Sequence, residues 1–298
     1  MKGEKTMSQF DSMYLETCKK IIDHGARTES RNGITYRIPG NHWIFDLEKE
    51  FPILTVKKVA FKTAVLEMLW IYQQKSIALS WLQQRGIKIW DKFEISSDGV
   101  YRNPDNGDEK FFGKKWAGTI GSSYGYIIAN GGEPDFKDQM DAAIYKIINC
   151  PADRRNIITM WQPPFFENAV LPPCVYKVQF LVLDGKLHTF VEQRSCDMFL
   201  GVPFNITQYS VLNYMLAHVT GLKPGEMHYN MADVHIYEEH IEQVHEMLNR
   251  WEHALPAPTL WLNPEVKDFY SFDSSKELSD CKLIGYEHLG AIKGIVKA

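Results

Sequence analysis

The chain has 298 residues, 45% of them hydrophobic and 23% charged, enough apolar material for one large core without disulfide staples. A formal net charge of −4 disfavours a general nucleic-acid-binding field but leaves room for a small anionic substrate held by a few arginines. Five scattered cysteines without a CxxC pair, a polar N-terminus unlike a signal peptide and no membrane-length apolar run predict a cytoplasmic protein with no membrane segment, no DNA partner and no metal.

In chain order, residues 7–23 read as a first helix and 34–47 (ITYRIPGNHWIFDL) as strand around a Pro-Gly turn. From 58 to 74, Val59, Ala60, Ala64, Leu66, Leu69 and Trp70 recur at helical spacing and predict a helix. The Gly-, Asn- and Asp-rich stretch 96–135 reads as an extended loop, followed by a helix at 136–149 and a strand at 156–161. VYKVQFLVL and KLHTFVEQ flank Asp184-Gly185, whose tolerance of positive φ predicts a two-residue hairpin turn. Asn205 then opens a helix over 206–220, which Gly221 closes as a C-cap. Without repeats, linkers or a regular βαβ period, the chain reads as one α+β domain over 1–298.

Cys174 emerges from LPPCVY, where two prolines fix an extended approach and remove two backbone donors. A lone cysteine is more often a small buried hydrophobe; as a nucleophile it needs neighbouring positive charge, available from Arg31, Arg154, Arg155 or Arg194. QRSCDMFLGVPFN gathers Arg194, Ser195, Asp197, Gly201 and Asn205 around a turn. Arginine beside a hydroxyl suits phosphate, and an Asn amide can pair with the N3–H and C4=O edge of uracil. The plainer alternative is a surface ion pair with an N-cap Asn. Arg154-Arg155 is a second anion candidate or a solvated edge. Asp233, His235 and Tyr237 alternate in MADVHIYEEH and face one side of a strand, where they could bind sugar hydroxyls. Glu67, within an apolar helix, is a rim carboxylate or a buried acid of raised pKa.

PPCVY, QRSCDMFLGVPFN and the Asp233–His235–Tyr237 row, in that order, resemble the folate-dependent thymidylate synthase family. Upstream, RNG (31–33), FPILTVKKV (51–59), LEMLW (66–70), IWD (89–91) and DRR (153–155) extend the resemblance over nearly the whole chain. It implies a mixed sheet packed against helices, with the sheet forming a homodimer interface. It also implies dUMP and 5,10-methylenetetrahydrofolate as substrates, with Cys174 attacking C6 of dUMP. Arg31, Arg194 and Ser195 would hold the phosphate, with Arg154 and Arg155 lent by the other subunit. His235 and Tyr237 would bind the ribose, and Asn205 would read the base. Glu67 and Tyr124 would serve proton transfer, while Asp197, Trp90, Gly201 and the tail ending at Ala298 would contact folate.

Four positions depart from the family's pattern: Val175 stands where His is common, Phe93 for a second tryptophan, Ala232 for a glycine, and Lys297 for a small tail residue. The last two bear on water exclusion and open the neighbouring possibility of a dUMP hydroxymethylase, in which water captures the one-carbon unit before hydride arrives. Trp90 favours methylation.

Overall fold

The structure is a computed structural model describing residues 7–30 and 32–297. Its N-terminal part comprises α1 (Gln9–His24), β1 (Ala26–Ser30), β2 (Gly33–Asp46), α2 (Phe61–Tyr72), α3 (Leu79–Gln83) and the short pair β3 (Val100–Arg102) and β4 (Glu109–Phe111). The middle holds α4 (Tyr124–Asn130), α5 (Gln139–Asn149), β5 (Ile157–Thr159) and α6 (Pro163–Phe166). Then come β6 (Val175–Leu183), β7 (Lys186–Asp197), α7 (Gly201–Thr220), β8 (Lys223–Tyr237) and α8 (Ile241–Asn249), with β9 (Thr259–Leu262) and β10 (Cys281–Ile284) last.

Six strands form one mixed sheet in the order β1-β2-β8-β7-β6-β5, in which only β7 and β8 run parallel. That parallel pair needs a crossover, and α7 supplies it across the inner face of the sheet. Thirteen of its residues are buried, because the sheet covers it on one side and α2 on the other. The Asp184-Gly185 turn forms as predicted, with φ of 51° and 73°, and Gly221 closes α7 in the left-handed region at φ 73°.

Four expectations need correction. Pro39-Gly40 makes no turn: β2 runs straight through it in unbroken register with β8. The helix expected over 58–74 runs only from Phe61 to Tyr72: the chain bends at 55–57 and is irregular over 58–60, where Lys57 and Lys58 border the cleft. The stretch 96–135 is not simply loop; it holds the β3–β4 hairpin and α4. Finally, α7 begins at Gly201, so Asn205 lies inside the helix and not at its cap. Pro203 is tolerated in that first turn because the missing N–H would have had no intrahelical partner.

Candidate active site

Alternation along the central strands builds the floor of the site. Parallel register sets Ser195 beside Asp233 and Asp197 beside His235, and β2 adds Arg37 on the other side of His235. Asp233, His235 and Tyr237 therefore share one face, as their spacing predicts. Arg37 Nη1 lies 3.0 Å from Asp233 Oδ2, and His235 Nδ1 lies 3.3 Å from Asp233 Oδ1. Asp197 Oδ1 accepts from the Phe199 N–H at 2.9 Å and the Leu200 N–H at 3.3 Å, tying the end of β7 to the start of α7.

Cys174 stands just before β6 on a corner clamped from two sides. Its N–H donates to Tyr124 Oη at 3.0 Å, and its carbonyl accepts from the Arg194 N–H at 2.9 Å. The guanidinium of Arg194 donates to the carbonyls of Pro173 (3.0 Å) and Pro172 (2.7 Å). Arg194 is thus fastened through both backbone and guanidinium to the segment that carries the thiol. Tyr124 opens α4 at φ 23°, a left-handed value that a non-glycine residue adopts only under constraint. Burial pushes its phenol well above the ordinary range, and the neighbouring Cys174 adds to the effect.

Glu67 is buried on α2, and burial lifts its carboxyl to about 7 even though hydrogen bonds from Trp90 and Gln208 oppose the rise. Trp90 Nε1 donates at 2.5 Å and Gln208 Nε2 at 2.7 Å. Lys57 is buried as well; its ammonium donates to the Phe199 carbonyl and lies 3.9 Å from the centre of the Phe199 ring. Desolvation lowers it to about 8.

A cleft of about 580 Å³ collects these groups. Glu67, Trp90, Tyr124, Cys174, Arg194, Ser195, Asp197, Gly201, Asn205, His235 and Tyr237 all line it. One wall is apolar (Ile71, Ile89, Trp90, Phe93, Leu200, Phe204 and Ile292), and Lys57 and Lys58 also border it. The C-terminal segment reaches over the opening: Lys92 Nζ donates to the Val296 carbonyl at 2.7 Å, and Lys297 pairs with Glu239 at 2.5 Å. Arg154 and Arg155 stand exposed outside the cleft, Arg155 paired with Asp153 at 2.9 Å. Arg31 and Ala298 lie outside the described residues. Sequence reasoning missed Gln193, Gln208, Arg37 and Lys57. The signals available were adjacency to Arg194, one helical turn from Asn205, strand parity and the KK pair of 57–58, none of which is distinctive alone.

A deep cleft, apolar on one wall and rich in hydrogen-bonding groups on the floor, set on one mixed sheet, is the architecture of an enzyme acting on small molecules. The thymidylate synthase family model matches residues 12–298. A thymidylate synthase of Clostridium beijerinckii is 41% identical over 288 residues, covering 96% of this chain and 98% of its own. Thymidylate synthase 1 of Bacillus subtilis is 38% identical over 296 residues, covering 95% and 96%. The solved structure of thermostable thymidylate synthase A from Bacillus subtilis superposes with a TM-score of 0.80 at 37% identity, over 98% of this chain and 99% of that one. The chain belongs to the thymidylate synthase family.

Proposed function

We propose that the chain reductively methylates dUMP to dTMP through covalent addition of Cys174 to C6 of the uracil ring, with 5,10-methylenetetrahydrofolate as co-substrate. The observation that carries this reading is the clamped Cys174 corner, with Arg194 bound to both preceding carbonyls inside a cleft. Uracil C5 is a weak nucleophile until a thiolate at C6 pushes electron density onto it, so a covalent step is required. The chemistry requires the thiolate as nucleophile, a form that neighbouring positive charge favours in general.

Ser195 and Arg194 offer donors for the phosphate, His235 and Tyr237 for the ribose, and Asn205 for the base edge. Tyr124 stays a neutral phenol, so it serves proton removal from C5 by orienting water and not as an ionised base. Glu67, with its carboxyl near 7, can take up and release a proton close to neutrality. The apolar wall fits the flat, largely apolar body of the folate, with Trp90, Asp197, Gly201 and the C-terminal segment beside it, and the two lysines suit its carboxylates. The folate supplies the one-carbon unit and the hydride. Trp90, on the cleft wall, would help to exclude water from that carbon with folate bound beside it. The relatives are named synthases, and nothing favours the hydroxymethylase alternative.

Among the described residues no helix is long and apolar enough to cross a membrane, and none of the five cysteines is in a disulfide. Cys174→Ala should abolish turnover, a loss of at least about 10³-fold, while dUMP still binds. Product mass and dihydrofolate absorbance are the readouts. Retained turnover would exclude the thiolate route, and 5-hydroxymethyl-dUMP as the wild-type product would exclude the synthase reading.

A further inference from the structure

Asn205 is held by two glutamines, each of whose own orientation is imposed from outside. Gln208, one turn further along α7, donates through Nε2 to Glu67 Oε2 at 2.7 Å and to the Ala64 carbonyl at 3.3 Å. A main-chain carbonyl can only accept, so the amide nitrogen must face that side, and Gln208 Oε1 is left to accept from Asn205 Nδ2 at 3.0 Å. On the other flank, Gln193 Nε2 donates to the Ser195 carbonyl at 2.8 Å and to Asn205 Oδ1 at 3.2 Å, while Gln193 Oε1 accepts from the Tyr229 hydroxyl at 2.5 Å. Both glutamines are nearly sealed from solvent, at 4% and 2% exposure.

An Asn side chain has no intrinsic preference between its two amide orientations. In one it offers an acceptor to N3–H and a donor to C4=O of uracil; flipped by 180° it offers the opposite pattern, which suits N3 and the exocyclic amine of cytosine. Here the flipped state would set N–H against N–H at Gln193 and oxygen against oxygen at Gln208, two buried mismatches at once. We propose that Gln208 is a positioning residue that fixes the orientation of the Asn205 amide and thereby makes the pocket choose a uracil over a cytosine nucleotide. This rests on Asn205 as the base-reading side chain. In this reading Gln208 acts on the base through Asn205.

The test is calorimetric binding of dUMP and dCMP, without folate, to the full chain and its variants, with thermal midpoints as the check on folding. Gln208→Met, similar in length but with no polar end, should lower the Kd(dCMP)/Kd(dUMP) ratio by about 10-fold or more, the size expected from losing one buried mismatch. Gln208→Glu, measured at a pH low enough to keep the new carboxyl protonated, should keep the ratio within about 3-fold: its O–H replaces the amide donor towards Glu67 and the Ala64 carbonyl, and its other oxygen still accepts from Asn205 Nδ2. Gln193→Met releases the other flank and should lower the ratio in the same direction, so the idea remains testable if Gln208→Met fails to fold. A merely structural role would weaken both nucleotides equally, and an unchanged ratio in the folded variants overturns the proposal, as does a collapse of the ratio in Gln208→Glu. Asn205→Asp separates the two layers. If it shifts the ratio and Gln208→Met does not, only the positioning role falls; if it leaves the ratio untouched, the base-reading role of Asn205 fails and takes the proposal with it.

Discussion

A carboxylate enclosed by α2 and α7 is an unstable thing to bury, and Glu67 shows what the site gives up for it. Its carboxyl rises from 4.5 to about 7, chiefly through lost hydration, which corresponds to about 3 kcal/mol at about 1.4 kcal/mol per pH unit. Because the folded value exceeds the unfolded one, this group's contribution to stability is greatest below pH 4.5 and declines as pH rises towards 7. Glu67→Gln should therefore gain about 2 to 3 kcal/mol more relative to the parent at pH 8 than at pH 5 in urea unfolding, while losing turnover. An equal effect at both pH values would show that Glu67 is not held protonated by burial. Single residues of this kind were legible only by type: an acid in an apolar run could be read as unusual, but its partners Trp90 and Gln208 lie 23 and 141 positions away. The hydrogen bonds that orient Asn205 were invisible for the same reason.

Elements were legible where one local rule decides them. The Asp184-Gly185 hairpin and the Gly221 cap follow from backbone sterics of two or three residues, and both formed as read. The Pro-Gly pair in β2 misled because a turn signal was overridden by long pairing with β8, a tertiary effect no window contains. The stretch 96–135 misled because its polar composition conceals a structural task. Gly121 pairs with Ala169, the Ser122 N–H donates to the Asn168 carbonyl at 2.9 Å, and Ser123 Oγ donates to the Leu171 carbonyl at 2.6 Å, so this segment buttresses the approach to Cys174. Two glycines distinguish backbone freedom from close packing. Gly185 has φ 73° with nothing near a added Cβ, whereas a Cβ at Gly121, φ 70°, would lie 1.9 Å from the Asn168 carbonyl oxygen. Gly185→Ala should cost about 1 kcal/mol and leave kcat unchanged. Gly121→Ala should cost about 3 kcal/mol or more and also reduce kcat, because the displaced backbone carries the cysteine corner. Equal stability losses, with kcat intact in both, would remove the buttress from the account.

At the scale of the molecule, the single α+β domain could be read from the mixture of elements, but the uncovered face of the sheet could not, since strand alternation shows that two faces exist and not what covers each. Helix α7 lies on the inner face, with α2 packed over it. The outer face presents His42, Ile44, Leu181, Phe190 and His228, with the His228 ring stacked on Phe190 at 4.5 Å and on His42 at 5.6 Å; Ile44 and Ile157 stand 42% and 39% exposed. An apolar, aromatic sheet face of this extent suits self-association about a two-fold axis. Arg154 and Arg155 sit exposed just before β5, the edge strand, outside their own chain's cleft, where a residue lent to a second copy would have to lie. We expect sedimentation to give a dimer, and Phe190→Asp to give a folded monomer without turnover. The stricter test pairs two dead variants, Cys174→Ala and Arg155→Ala. Hybrids formed from equal amounts contain one site with an intact cysteine facing an intact arginine, so random pairing should restore activity to roughly a quarter of the parent. If hybrid dimers are confirmed by mass yet stay silent, Arg155 does not complete a neighbouring site, and the outer face would then join subunits without sharing catalysis between them.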